Sequence, residues 1–335
     1  MTEGELPRAS GDMSVELAGV RLRSPLILAS GILGTHASLM RRVALAGAGA
    51  VTTKSAGPAP RPGHPNPTCI DFGHGLLNAI GLANPGAAAE VALIRSTRQA
   101  LEPLGVKVIA SVFADTAEGF GHVARLVAAA GPHLIEVNIS CPNVASDLGE
   151  PFAASCASAA AATASVRAAV ELPVIVKLAP NVPNIGAIAR AVVQEGADAI
   201  CAVNTMPGMV IDPESGLPVL ANRSGGVSGP ALLPVALHAV YQVSAATKVP
   251  IVGTGGVSTG LDALAMISAG ATAVGVGSAV YRQGPQAFAR LHAEMAQWLS
   301  AHGTTLSAIR GRAHRRMEWP EAASTPPVPG EGGQP

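Results

Sequence analysis

The sequence predicts an α/β protein folded as a (β/α)8 TIM barrel, with an N-terminal β-hairpin and long loops at the C-terminal face of the strands. Three observations carry that expectation. Eight short apolar runs alternate with eight helical patterns along the chain. The runs are almost continuously apolar, as parallel strands covered on both faces are. The longest connections all follow the C-terminal ends of strands, where barrels build their sites. An open doubly wound sheet is the competing architecture, and it is disfavoured because no GxGxxG turn follows the first strand.

Taken in order, residues 1–14 are a polar leader. Val15-Glu-Leu-Ala-Gly-Val-Arg-Leu22 has the pattern of a small hairpin turning at Gly19. The strand runs are 26–29, 50–53, 106–112, 134–137, 174–178, 199–203, 251–253 and 273–276. The helical patterns are 39–46, 87–101, 118–130, 154–169, 185–195, 232–246, 261–269 and 286–301. Connections 54–86, 140–151 and 205–230 exceed what a barrel needs and are rich in Gly, Pro and Asn. The catalytic domain is expected to span 15–302. Beyond it, Arg310, Arg312, Arg315 and Arg316 form a basic cluster, after which Pro and Gly dominate. The tail 303–335 is expected to be disordered.

Composition narrows the function classes. Lys+Arg and Asp+Glu both total 22, so the formal charge is zero and nothing favours a nucleic-acid partner. Aromatics make up only 3%, too few for base-stacking platforms. The Ala-rich stretch 153–169 carries Ser, Thr, Cys and Arg, so it is expected to be a helix rather than a membrane span. No apolar signal segment follows Glu3 and Glu5, so the expected location is cytoplasmic. Cys69, Cys141, Cys156 and Cys201 are scattered without a CxxC, which argues against a metal site, an iron–sulfur cluster or a disulfide framework.

The most telling run is Glu136-Val-Asn-Ile-Ser-Cys-Pro-Asn143. A strand delivers two amides, Asn138 and Asn143, and one thiol, Cys141, to a single loop stiffened by proline. A lone cysteine beside turn-forming residues is ordinarily just a small buried side chain. Here the rest of the chain supports chemistry. Gly253-Thr-Gly-Gly-Val-Ser-Thr-Gly260 follows the seventh strand and Val274-Gly-Val-Gly-Ser278 closes the eighth. Barrels commonly bind phosphate with these two loops, through backbone N–H groups. Ser224-Gly-Gly-Val-Ser-Gly-Pro230 adds a third glycine-rich segment. Lys54 ends the second strand and Lys177 nears the end of the fifth. One such lysine would be expected to snorkel to solvent. Two facing the same mouth as a phosphate site suggest a buried anion, and a reduced flavin carries such a charge around N1.

Together these residues resemble the dihydroorotate dehydrogenases, in particular the class 1B catalytic subunits, from about Val15 to about His302. The resemblance rests on Ala29-Ser-Gly31, Lys54, Leu77-Asn-Ala-Ile-Gly-Leu82 with Asn84-Pro-Gly86, Asn138-Ile-Ser-Cys-Pro-Asn143, Lys177-Leu-Ala-Pro-Asn181, Asn204-Thr205, Ser228-Gly-Pro230, Gly255-Gly256 and Gly277-Ser278. It implies the same barrel with FMN at the strand C-termini, one per chain. FMN would contact Ser30, Lys54, Ser55, Asn138, Lys177, Val203, Gly229, Gly255, Gly256, Gly277 and Ser278. Ser111 stands where the family usually has a flavin-holding asparagine, and its shorter hydroxyl is kept as a contact. Dihydroorotate would be held by Lys54, Asn78, Ala79, Ile80, Gly81, Leu82, Asn138, Asn143, Asn204 and Thr205.

Cys141 would be the catalytic base. A proton leaves the carbon beside the ring carbonyl and a hydride leaves its neighbour toward flavin N5. Free cysteine titrates at roughly 8.5, close enough to neutrality for a modest shift to make it effective. The asparagines suit a ring edge that alternates N–H and C=O.

The resemblance to class 1B also implies a route for the electrons. The chain carries neither a dinucleotide fingerprint nor a cysteine cluster, and it lacks the amphipathic membrane helix of quinone-linked relatives. A second protein or a soluble acceptor must then reoxidise the flavin. The Leu77–Gly86 segment resembles class 1B more than the fumarate-using class 1A, and that resemblance implies a partner subunit carrying FAD and a 2Fe–2S cluster and passing electrons to NAD. The expected assembly is a heterotetramer of two catalytic and two electron-transfer chains, with the catalytic chain also pairing as a dimer. The alternatives are a fumarate-linked dihydroorotate dehydrogenase, a dihydropyrimidine dehydrogenase-like enzyme and a non-catalytic flavin-binding barrel. The second typically has histidine after the Cys-Pro pair, where this chain has Asn143.

Overall fold

A computed structural model describes residues 12–140 and 152–315. The chain opens with β1 (Val15–Leu17) and β2 (Val20–Leu22), paired antiparallel through a two-residue turn at Ala18 and Gly19, both at positive φ. Such a turn matches the twist of the strands it joins. There follow β3 (Leu26–Leu28), α1 (Ala37–Leu45), β4 (Ala50–Thr52), β5 (Cys69–Asp71), β6 (Leu76–Asn78) and α2 (Ala87–Leu101). Next come β7 (Lys107–Val112), α3 (Ala117–Ala128), β8 (Leu134–Asn138), α4 (Cys156–Ala169), β9 (Val174–Leu178), α5 (Ile185–Gln194) and β10 (Ala199–Ala202). The remainder is β11 (Met206–Gly208), β12 (Ile211–Asp212), β13 (Leu217–Pro218), β14 (Gly225–Ser228), α6 (Leu233–Ala246), β15 (Ile251–Thr254), α7 (Gly260–Ala269), β16 (Ala273–Val276), α8 (Ala279–Gln283), α9 (Ala287–Ala301) and α10 (Leu306–Ile309).

Strands β3, β4, β7, β8, β9, β10, β15 and β16 form a closed, all-parallel barrel in that order. Several helices start where short polar side chains satisfy their first free N–H groups. Thr116, Ser155 and Asn184 cap α3, α4 and α5, and Thr259 with Asp262 forms a capping box on α7.

The barrel interior is layered. At its base, Ile27, Ala50, Ile109, Leu134, Ile175, Ala199, Val252 and Ala273 supply one residue from each strand, and Leu17 and Leu22 of the hairpin join the same cluster. The hairpin therefore plugs the N-terminal end of the barrel. Side chains on a strand repeat with period two. Two residues further along, the same inward face carries Ser111, Glu136, Lys177, Cys201 and Thr254, all buried. The interior thus changes from apolar to polar toward the C-terminal mouth.

Two expectations need correction. The connections 54–86 and 205–230 are not simply loops. They pair with each other as an antiparallel sheet in the order β11-β14-β6-β5 beside the mouth, with Asn78 opposite Gly226 and Leu77 opposite Val227. Glycine is required at 226, since a Cβ there would lie 2.0 Å from Thr205 Oγ1. The tail also keeps its order past residue 302. Thr305 caps α10, Arg312 lies 5.1 Å over the Trp298 ring, and His314 stacks on Tyr241 at 4.0 Å. These aromatic contacts hold the segment to Arg315 against the outer helices; residues 316–335 lie outside the described residues. No helix among the described residues is long and apolar enough to cross a membrane.

Candidate active site

A cleft opens at the C-terminal mouth, between the strand ends and the accessory sheet. Parallel strands bring their C-terminal residues to the same rim, so residues far apart in sequence converge there. Ser30, Lys54 and Ser55 come from the ends of β3 and β4, Asn138 and Lys177 from β8 and β9, and Val203, Asn204 and Thr205 from the end of β10. The glycine loops after β15 and β16 contribute Gly255, Gly256, Gly277 and Ser278. The accessory strand β6 and the residues after it bring Asn78, Ile80, Gly81 and Leu82 to the opposite wall.

Three expected contacts lie elsewhere. Ala79 is fully buried in the accessory sheet beside Leu77 and Leu220, and its N–H donates to Thr68 O at 2.7 Å. Gly229 lines a neighbouring hollow with Pro230 and Ser258. Ser111 is fully buried behind Ser55, 2.9 Å from its hydroxyl, and donates to Glu136 Oε1 at 2.9 Å. Its short side chain bonds backward into the barrel rather than into the cleft. Cys141 and Asn143 lie outside the described residues.

Sequence reasoning passed over several residues that the fold brings here. Cys69 lines the cleft opposite Asn78 in the β5–β6 pair, and no motif marks it. Thr254 lines the cleft and lies 3.5 Å from Cys201 Sγ. Burial, with Glu136 nearby, pushes the Cys201 thiol up to about 12, so it stays protonated and serves as packing. Burial and the Asp71 carboxylate raise Cys69 as well.

Glu90, in the first turn of α2, is buried beside Thr53 and Lys54, and its Oε1 has no hydrogen-bond partner. Burial raises its carboxyl to about 7, against the opposing pull of Thr53 and Lys54. The folded chain therefore holds this proton more tightly than the unfolded one. The associated stability is complete below the ordinary value of 4.5 and is lost as pH rises through about 7. His133 acts oppositely: burial, with Arg98 and Lys107, lowers it to about 4, so its contribution is present above 6.5 and lost as pH falls through about 4. The two offset each other in the native chain. Glu90→Gln is expected to be more stable than wild type by an amount that grows from acid to pH 8, to as much as about 3 kcal/mol. Urea unfolding of both proteins across that range checks this; a pH-independent difference would refute it.

Comparison with known proteins agrees with this geometry. A family model described as dihydroorotate dehydrogenase matches residues 12–299. A protein from Methanosarcina mazei is 48% identical over 266 residues, covering 79% of this chain and 83% of its own length. One from Methanosarcina acetivorans is 44% identical over 303 residues, covering 90% and 96%. One from Methanocaldococcus jannaschii is 39% identical over 302 residues, covering 90% and 98%. All three are named dihydroorotate dehydrogenase B (NAD(+)), catalytic subunit.

Proposed function

The chain belongs to the dihydroorotate dehydrogenase family, and from that premise we propose that it oxidises dihydroorotate to orotate, with FMN as hydride acceptor, as the catalytic subunit of an NAD-linked enzyme of pyrimidine biosynthesis. As a member of that family it is an oxidoreductase. The observation that carries the reading is the convergence of three amides, Asn78, Asn138 and Asn204, and two lysines, Lys54 and Lys177, on one cleft with glycine loops at its far wall.

The residues present fit FMN on two grounds. The donor set has cations and amides for a flat, polar ring, and backbone loops for a phosphate. The cleft also has walls where a side chain would intrude on a ligand. A Cβ at Gly31 would meet no protein atom within 4 Å, and one at Gly277 only Ala29 and Ile32 at 3.7 Å. Gly255, Gly256, Gly277 and Ser278 would hold the phosphate end, and Ser30, Ser55, Asn138, Lys177 and Val203 the ring. Bound FMN supplies a two-electron acceptor. The protein's own residues do the rest. Asn78, Asn138 and Asn204 pin the planar substrate, Lys54 meets its carboxylate or the flavin edge, and Cys141 removes the proton. Thr205 and the 80–82 segment complete the substrate wall, and Asn143 is a further substrate-binding residue in this reading.

In this reading the reduced subunit hands electrons to a partner chain with FAD and a 2Fe–2S cluster, in a cytoplasmic heterotetramer. The relatives' shared designation as a catalytic subunit supports a partner. Assaying the isolated, FMN-loaded chain with dihydroorotate and an artificial dye, fumarate or NAD tests the proposal. Strong activity with the dye and weak activity with fumarate and NAD alone is the expected result. Strong fumarate activity would contradict the NAD-linked assignment, and turnover of uracil in place of dihydroorotate would contradict the substrate.

A further inference from the structure

A directed hydrogen-bond chain runs behind the cleft, and its direction is set by one carboxylate. A serine hydroxyl has a single hydrogen to give. Ser111 Oγ gives its own to Glu136 Oε1 at 2.9 Å. The 2.9 Å bond between Ser55 and Ser111 must then run from Ser55 Oγ to Ser111 Oγ. Ser30 gives its hydrogen to Thr53 O at 2.9 Å and could only accept from Ser55, at 3.3 Å; the shorter 2.9 Å contact to Ser111 needs that hydrogen, because without it two lone pairs would face each other. Ser55 Oγ is left as an acceptor, and Asn138 Nδ2 donates to it at 3.1 Å.

The Asn138 amide cannot be flipped. Its Oδ1 accepts from the Ser140 backbone N–H at 3.4 Å and the Ser140 hydroxyl at 3.2 Å; turned over, it would set donor against donor. The chain continues outward. Asn204 Nδ2 donates to Ser140 O at 3.0 Å and Ser140 Oγ at 3.2 Å, and Asn204 Oδ1 accepts from Thr205 N at 2.8 Å. Ser55, Ser111, Glu136, Asn138 and Ser140 are all buried, so water does not substitute for a missing member.

We propose that Glu136 is a positioning residue for the cleft: its carboxylate polarises the chain Ser111–Ser55–Asn138–Ser140–Asn204 and, together with the backbone groups of Ser140 and Thr205, holds both cleft asparagines in one orientation. Asn138 then has one N–H left for a ligand. Its ligand-side partner must be an acceptor, a ring carbonyl or carboxylate oxygen, and not a ring N–H. This rests on the dihydroorotate reading and adds to it a residue that touches neither substrate nor cofactor. In Glu136→Gln, the new amide can donate to Ser111, and the chain loses its single direction. Ser111→Ala cuts the chain while leaving the carboxylate in place.

Two measurements on the FMN-loaded full chain test the proposal. The first is orotate affinity, from the perturbation of flavin absorbance. Each variant is expected to bind orotate about tenfold more weakly while retaining FMN, and the double variant no more weakly than the weaker single one. Unchanged affinity in both variants, or losses that add, would overturn the inference. The second is the set of Asn138 and Asn204 side-chain amide resonances without ligand, expected to shift in both variants. Should wild type bind no orotate, the functional reading fails while the resonances still judge the chain: unmoved signals in both variants refute a role for Glu136.

Discussion

Changing Cys141 to serine is expected to leave FMN bound and to reduce dihydroorotate turnover at neutral pH by roughly 10²–10⁴-fold, the usual contribution of a positioned general base. The expectation rests on basicity. A thiol at roughly 8.5 needs only a small shift to work near neutrality, whereas a hydroxyl remains protonated there. None of the described thiols is suited to replace it. Cys201 is sealed in the barrel with its titration pushed to about 12. Cys156 is exposed at the start of α4, on the outer layer of helices. Cys69 does line the cleft, but partial desolvation and the Asp71 carboxylate raise its thiol above the ordinary value, away from neutrality. Cys69→Ser is therefore the internal control and is expected to turn over within a few-fold of wild type. Steady-state rates with a dye acceptor, normalised to bound flavin, compare the variants. A Cys141→Ser protein near the wild-type rate would remove this thiol from the mechanism.

The second large effect is expected at Lys177. Its side chain is only 6% exposed, yet it reaches the cleft, and it shares the polar layer of the barrel with Glu136 and Cys201. A cation there does two things. It places positive charge in the same poorly solvated layer as the Glu136 carboxylate, and it favours negative charge developing in the cleft. Lys177→Met removes both. Leaving one buried charge unbalanced costs about 3 kcal/mol or more, so urea unfolding is expected at markedly lower concentration. Loss of preorganised charge stabilisation is expected to slow anaerobic flavin reduction by on the order of 10²-fold or more. Rapid mixing of the loaded variant with dihydroorotate measures that rate directly. A variant reduced as fast as wild type would show that the lysine plays no electrostatic part.

The barrel was legible because its signal is repetitive. Runs such as 134–137 and 174–178 are apolar but for one residue each, Glu136 and Lys177, and the observed β8 and β9 differ from them by one residue at most. The accessory sheet was hidden for the opposite reason. Met206-Pro-Gly208 and Gly225-Gly-Val-Ser228 are short and rich in Gly and Pro; they pair with each other, and the second is joined to the rest of its sheet by a partner 148 residues away, as the Asn78–Gly226 contact shows. Propensity carries no information about such pairs.

The site divides in the same way. Residues in glycine-rich or Asn-rich motifs at strand ends, such as Asn138, Asn204 and Gly277, line the cleft as expected. Ser111 does not, because the family position predicts a contact but the shorter side chain finds a closer partner in Glu136. Glu136 and Ser111 were visible as polar interruptions of apolar strands. Nothing in the sequence connected them to Ser55, since that connection exists only once the strands close into a barrel.

The central claim is that dihydroorotate and a flavin meet in this cleft. Anaerobic titration of the FMN-loaded chain with dihydroorotate tests it most directly. The predicted result is loss of the oxidised flavin absorbance with one orotate formed per flavin reduced. Flavin that stays oxidised under excess dihydroorotate, yet is bleached by a chemical reductant, would contradict it.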